Sequence, residues 1–98
     1  MASGESVERE DRPGGGRYVI RSGGALSELT FQDHGTRRIA DHTFVPPAMR
    51  GGGVAARLVE ALVADARLGG VRIVPQCSYV ATAFRRHPEW QDLLATPD

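Results

Sequence analysis

Pro46-Pro47, then Arg50-Gly51-Gly52-Gly53, then Val54, Leu58, Ala61, Leu62 and Ala66: this succession constrains the fold more than any other stretch of the chain. Neither proline can donate to a ladder, so a strand reaching them must stop there. The apolar spacing of three and four after the glycines is that of one buried helix stripe, from about Val54 to Leu68. Arg57, Glu60, Ala64 and Arg67 fall mainly on its other side. Strand, glycine loop and helix in that order begin a β–α–β crossover. Gly69-Gly70 stops the helix, and Val71 to Pro75 supplies a short apolar strand. Such a crossover is right-handed and sets its two strands parallel.

The flanking segments complete the expected element order. Tyr18-Val19-Ile20 is a short β-prone run closed by Gly23-Gly24. Ala25 to Gln32 follows, with Ala25, Leu29 and Phe31 available to one face, and Asp33-His34-Gly35 makes the next turn. Thr36 to Val45 reads as a longer strand with Ile39, Thr43 and Val45 on one face. These three strands form an antiparallel meander. Beyond the crossover, Ser78 to Arg86 reads as a second helix with Ser78 as N-cap; His87-Pro88 breaks it, and a last short turn runs from Glu89 to Leu94. Residues 1 to 16 are polar and charged, end in Pro13-Gly14-Gly15-Gly16, and carry one aliphatic residue beyond Ala2, namely Val7. They read as a disordered tail, leaving 17–95 as a single compact α/β domain.

With 98 residues, the chain holds one domain with a modest core, read as a monomer or a weak homodimer. Its 12 basic and 12 acidic residues cancel, which argues against a general nucleic-acid binder. Every basic residue is arginine, a pattern open to two readings: phosphate or carboxylate recognition through the guanidinium fork, or codon bias. Cys77 stands alone, so no intrachain disulfide forms, and with no apolar run of membrane-spanning length the chain is expected to be soluble and cytoplasmic.

A glycine run at a strand-to-helix junction has a specific physical use. The first helical turn offers unpaired N–H groups and a partial positive charge, and glycines let a phosphate approach that backbone. Arg50 adds a charge within reach. The alternative is a plain glycine connection with no ligand. The absence of lysine excludes a P-loop, and the spacing is not that of a dinucleotide-binding turn.

Arg50-Gly51-Gly52-Gly53-Val54-Ala55 matches the Q/R-x-x-G-x-G/A acyl-CoA signature of the GNAT acetyltransferase superfamily in every fixed position. The wider string resembles its minimal members with a lone cysteine. It comprises His42-Thr43-Phe44-Val45-Pro46-Pro47, Leu58-Val59-Glu60-Ala61, Val74-Pro75-Gln76-Cys77-Ser78-Tyr79-Val80 and Arg86-His87-Pro88-Glu89-Trp90. The similarity runs from about Arg17 to Leu94. It implies a compact GNAT-like α/β fold and an N-acyltransferase with acetyl-CoA as donor and an unidentified amine, small molecule or protein, as acceptor. By the same resemblance, the backbone of Thr43, Phe44 and Val45 lies beside the pantetheine, and the N–H groups of Arg50, Gly51, Gly52, Gly53, Val54 and Ala55 hold the pyrophosphate. Two positions depart from the pattern: Gly52 replaces a longer polar residue, and Ala83 stands where relatives often carry an aromatic.

Three side chains are candidates for the chemistry. Cys77 is the suspected catalytic residue by resemblance. At a strand end beside a helix start its pKa would fall, and the thiolate could take the acyl group; the alternative is a small buried hydrophobe. His42 is a candidate base or a structural histidine, and Tyr79 a general acid toward the CoA thiolate or a packing tyrosine. His87 and Glu89 lack ligand spacing to any partner, so no metal site is expected. Larger superfamily members insert helices between their first two strands. Here the Gly23-Gly24 turn takes that place, which implies an open acceptor side. A non-catalytic acyl-CoA-binding or sensing module, or a protein-interaction module, is the competing function.

Overall fold

In the computed structural model, which describes residues 6–95, five strands form one sheet in the order β1-β2-β3-β4-β5. They are β1 Glu8–Arg12, β2 Gly15–Ser22, β3 Ala25–His34, β4 Arg37–Phe44 and β5 Arg72–Pro75. Helix α1, Val54–Gly69, crosses from β4 to β5, and α2, Ser78–Arg86, follows β5. One 3-10 turn occupies Pro47–Met49, and a two-turn 3-10 segment occupies Pro88–Leu93. The first four strands are antiparallel, and β5 lies parallel to β4, as a crossover requires. One apolar cluster joins Tyr18, Ile20, Leu29, Phe31, Ala40 and Ile73 of the sheet to Leu58, Leu62, Val80 and Phe84 of the helices. Both helices therefore cover the same face. The other face carries Arg17, Arg21, Glu28, Thr30 and Gln32, and is polar.

The meander has one strand more than the apolar pattern shows. Order was expected to begin near Arg17, yet Glu8–Arg12 pairs with β2, so the tail reading is corrected from Ser6 to Gly16; residues 1–5 lie outside the described part. The charges that read as disorder are instead matched across strands. Glu10 accepts from Arg17 and Arg21, both at 2.8 Å, and Glu8 accepts from Arg21 at 2.8 Å. Arg9 reaches Asp65 on α1 at 3.1 Å, and Val7 packs on the core. Exposed pairs of this kind contribute a few tenths of a kcal/mol each, so the strand depends on its ladder and on the network rather than on any one pair. The correction moves the shortened connection too. The first two strands are β1 and β2, and Pro13-Gly14 joins them.

A bulge corrects the face assignment of β4. Register shifts between Thr30 and Phe31: Phe31 pairs with Ala40, but Thr30 pairs with His42, leaving Asp41 as the extra residue. Asp41 turns its carboxylate to the Thr30 hydroxyl at 2.6 Å and the Gln32 amide at 2.9 Å. Side-chain parity therefore flips along the strand. Arg38 and Ala40 face the core, and beyond the bulge Thr43, opposite Leu29, shares that face while His42 does not. Ile39 and Thr43 thus lie on opposite faces, not on one.

Arg38 is the unexpected core residue, with 5% of its surface exposed. Its guanidinium grips both oxygens of Asp33 at 2.8 and 3.1 Å, donates to the Tyr18 hydroxyl at 3.1 Å and stacks 4.3 Å over Phe31. Tyr18 in turn donates to Asp65 at 3.0 Å, and burial holds its phenol well above the ordinary tyrosine range. A buried cation is tolerable when each of its nitrogens is hydrogen-bonded in this way.

Both helices lie where their periodicity puts them. On α1 the buried stripe is Val54, Leu58, Leu62 and Ala66, widened by Val59 and Val63, while Ala61 is half-buried. Helix α2 spans Ser78–Arg86, but Cys77, not Ser78, occupies its N-cap position.

Candidate functional site

The β4–β5 pairing ends at Ala40 opposite Pro75, whereas β4 continues to Phe44. Cys77 donates one further backbone bond to the Ala40 carbonyl at 2.8 Å, and its chain then turns into α2. The two strands part here, and the mouth of the gap holds Cys77 and Thr43, with Sγ 3.5 Å from Oγ1. Partial burial pushes the Cys77 thiol pKa up. The Thr43 hydroxyl and the N–H groups of Val80, Tyr79 and Thr43 outweigh that, so the net shift is below the ordinary thiol value. The Thr43 hydroxyl is the largest of these favourable contacts, and the helix start adds to it, because Tyr79 and Val80 belong to the first turn of α2.

The glycine loop sits at the same end of the sheet. Gly53 is the N-cap of α1 at φ 74°, and Gly51 lies at φ 88°, a backbone that side-chain-bearing residues rarely adopt. A Cβ built on Gly51, Gly52 or Gly53 would meet nothing within 4 Å, so the backbone here faces open space. The first turn of α1 has neither an acidic residue nor a side-chain cap. Its N–H groups and positive end are therefore available to an anion. Arg50 spends its Nε on the Val45 carbonyl at 2.9 Å, which fixes the loop against the end of β4.

A groove of about 220 Å³ runs along this loop, lined by Val45, Arg50, Gly51, Gly53, Ala55 and Tyr79. A second, of about 190 Å³, begins at the shared residues Ala56 and Tyr79 and continues between α1 and α2 to Arg86, His87 and Trp90. His87 stacks on Trp90 with ring centres 3.8 Å apart and meets Glu89 at 2.8 Å, which packs down the end of α2.

The structure thus brings together Thr43, Val45, Arg50, Gly51, Gly52, Gly53, Val54, Ala55, Cys77 and Tyr79 at one end of the molecule. Phe44 belongs to the same stretch and is 45% exposed, while Val54 is buried as the first core residue of α1. His42 stands apart: parity turns it to the polar face, away from Thr43. The pairing of Thr43 with Cys77 was not readable, because 34 residues separate them and only the bulge turns Thr43 to the right side.

The fold and site define a two-layer α/β protein with an open anion-accepting helix start beside a cysteine at a strand gap. The chain belongs to the GCN5-related N-acetyltransferase family, whose model matches residues 17–93. The solution NMR structure of a GCN5-like protein from Staphylococcus aureus is similar, with TM-score 0.70 and 24% identity over 100% of this chain and 94% of that one. At that identity the likeness is one of fold. No helix among the described residues is long and apolar enough to cross a membrane.

Proposed function

We propose that the protein is an acyl-CoA-dependent N-acyltransferase with acetyl-CoA as donor and an amine as acceptor. The observation that carries this reading is the open glycine loop at an uncapped, acid-free helix start, beside a groove also lined by Val45 and Tyr79, each two residues beyond a member of the Thr43–Cys77 pair. The donor fits the residues present. Backbone N–H groups from Arg50 to Ala55 would hold its pyrophosphate, and Thr43 to Val45, running past the end of β5, would hydrogen-bond its pantetheine. The second groove gives an extended ligand room beyond its phosphates. Bound acyl-CoA supplies an activated thioester.

Cys77 is the nucleophile in this reading, since Thr43 and the start of α2 stabilise its thiolate. Tyr79 lies in the groove with a half-exposed ring and is assigned as the proton donor toward the leaving thiolate. His42, on the other face, serves as base only for an acceptor approaching across the polar side of the sheet. That side has no helix over it, which fits a macromolecular acceptor. The protein would work in the cytoplasm, where a free thiol persists.

Thermal unfolding with and without acetyl-CoA tests the donor site. A ligand at a hundredfold over its Kd adds about 2.7 kcal/mol to the folded state. A clear upward shift is expected in the wild type and none in Gly52→Glu, whose backbone is unstrained and whose carboxylate would set a like charge on the loop proposed to hold the pyrophosphate. No shift at millimolar acetyl-CoA would leave the loop without a ligand and return the chain to the interaction-module reading.

A further inference from the structure

The two edges of the sheet are treated differently. Beyond β5, the C-terminal segment closes the edge: Leu94 bridges Ile73 in parallel, and the Ala95 N–H donates to the Ile73 carbonyl at 2.9 Å. Beyond β1, no described residue adds a ladder, and neither a proline nor a bulge interrupts Glu8–Arg12. Natural sheets usually blunt such an edge with charges that repel a second strand. Here the order of the charges does the opposite.

Glu8-Arg9-Glu10-Asp11-Arg12 is self-complementary when laid antiparallel to itself about Glu10. Glu8 falls opposite the partner's Arg12, and Arg9 opposite the partner's Asp11, so four of the five facing pairs are of opposite charge. The central pair joins two glutamates, but each is already matched by Arg17 and Arg21 of its own chain. Backbone parity agrees with this register. The two-residue Pro13-Gly14 turn closes on Arg12 opposite Gly15, which makes Arg12, Glu10 and Glu8 the residues bonded to β2. The N–H and C=O groups of Arg9 and Asp11 therefore point outward, and these two are the pair that the two-fold register sets face to face.

We propose that β1 is a homodimerisation edge: two copies pair antiparallel through Glu8–Arg12, centred on Glu10, into one ten-stranded sheet. The interface is isologous, as a two-fold dimer requires. With one short strand from each copy it is smaller than a standard interface, so the dimer is weak and salt-sensitive. The inference is independent of the proposed chemistry, because the edge lies outside the glycine loop and the cysteine gap.

Sedimentation velocity over a concentration series in low salt tests it. The wild type should shift from monomer to dimer, and high salt should reverse the shift. Glu8→Arg and Arg12→Glu each set like charges opposite one another across the two-fold, and each should weaken the dimer roughly tenfold or more. Mixing the two variants restores both pairs, as does combining them in one chain, so association should return. Recovery separates the interface from misfolding, because Glu8→Arg also loses its Arg21 pair and a damaged fold would not be repaired by a partner. A wild type that stays monomeric near millimolar concentration, or a dimer indifferent to all these swaps, would overturn the proposal.

Discussion

Gly14-Gly15-Gly16 and Gly51-Gly52-Gly53 are the same three letters serving opposite ends. In the first run Gly15 and Gly16 are crowded, while Gly14, in the turn, is open. A Cβ on Gly15 would collide with the Phe31 carbonyl, and one on Gly16 with the Glu10 carbonyl and, at 3.0 Å, with the Phe31 ring. In the second run a Cβ would touch nothing within 4 Å. Neighbouring strands need the missing side chains at Gly15 and Gly16 in order to close. At the α1 start, their absence leaves space unfilled. The turn glycines Gly23, Gly24 and Gly35 are equally open, so what sets the second run apart is the uncapped, acid-free helix start behind it.

That contrast can be broken experimentally, and the largest effect concerns the ligand. Gly52→Glu should melt within about 0.5 kcal/mol of wild type yet lose all of the roughly 2.7 kcal/mol that saturating acetyl-CoA adds, as read by differential scanning fluorimetry. If the variant keeps the ligand shift, the open loop is not the donor site. Next comes Gly15→Ala, which should cost about 2 kcal/mol and lower the melting temperature by on the order of 10 °C with or without ligand. An unchanged melt would mean the hairpin is not held as closely as described. Gly53→Ala sharpens the comparison within the second run. Its space is open but its φ of 74° is not, so about 1 kcal/mol of stability should go.

The smallest effect lies at Cys77. Its pKa below the ordinary thiol value means that iodoacetamide should alkylate the folded protein at lower pH than a free thiol peptide. Thr43→Val removes a hydroxyl that favours the thiolate and should move the rate profile to higher pH, slowing alkylation severalfold at neutral pH. The linked stability has a definite sign. A depressed folded-state pKa contributes above the unfolded thiol's pKa and fades as pH falls through the folded one. A Thr43→Val profile that coincides with wild type would assign the shift to the start of α2 alone.

Most of the helical half was legible because apolar spacing and breakers agreed there. Val54 through Ala66 give a stripe, Gly69-Gly70 ends it, and Pro88 closes a second helix whose N-cap the sequence puts at Ser78, one residue after the Cys77 cap of the structure. The glycine loop was legible for the same reason: its neighbours define a strand end and a helix start. Strand β1 was not, since strand patterns are read from buried side chains and Glu8, Arg9, Asp11 and Arg12 are exposed. Its order comes from the partners Arg17 and Arg21 and from the crowding at Gly15 and Gly16, which no local window contains. Arg38 was hidden in the same way: its burial depends on Asp33, Tyr18 and Phe31 arriving from other strands. The site residues were named from motif likeness, but the geometry separates them. Thr43 joins Cys77, and His42 leaves.

Asp41 gives β4 something like a reading frame in space. Upstream of it, alternate residues are assigned to the core in one phase; downstream, in the other. Deleting that single residue would remove the bulge yet leave His42, Thr43 and Phe44 opposite Thr30, Leu29 and Glu28, on the faces they now occupy. A frameshift comes instead from closing the bulge with Asp41 kept in the ladder: Asp41 would then face Thr30 and His42 would face Leu29, handing the cysteine a histidine in place of its threonine.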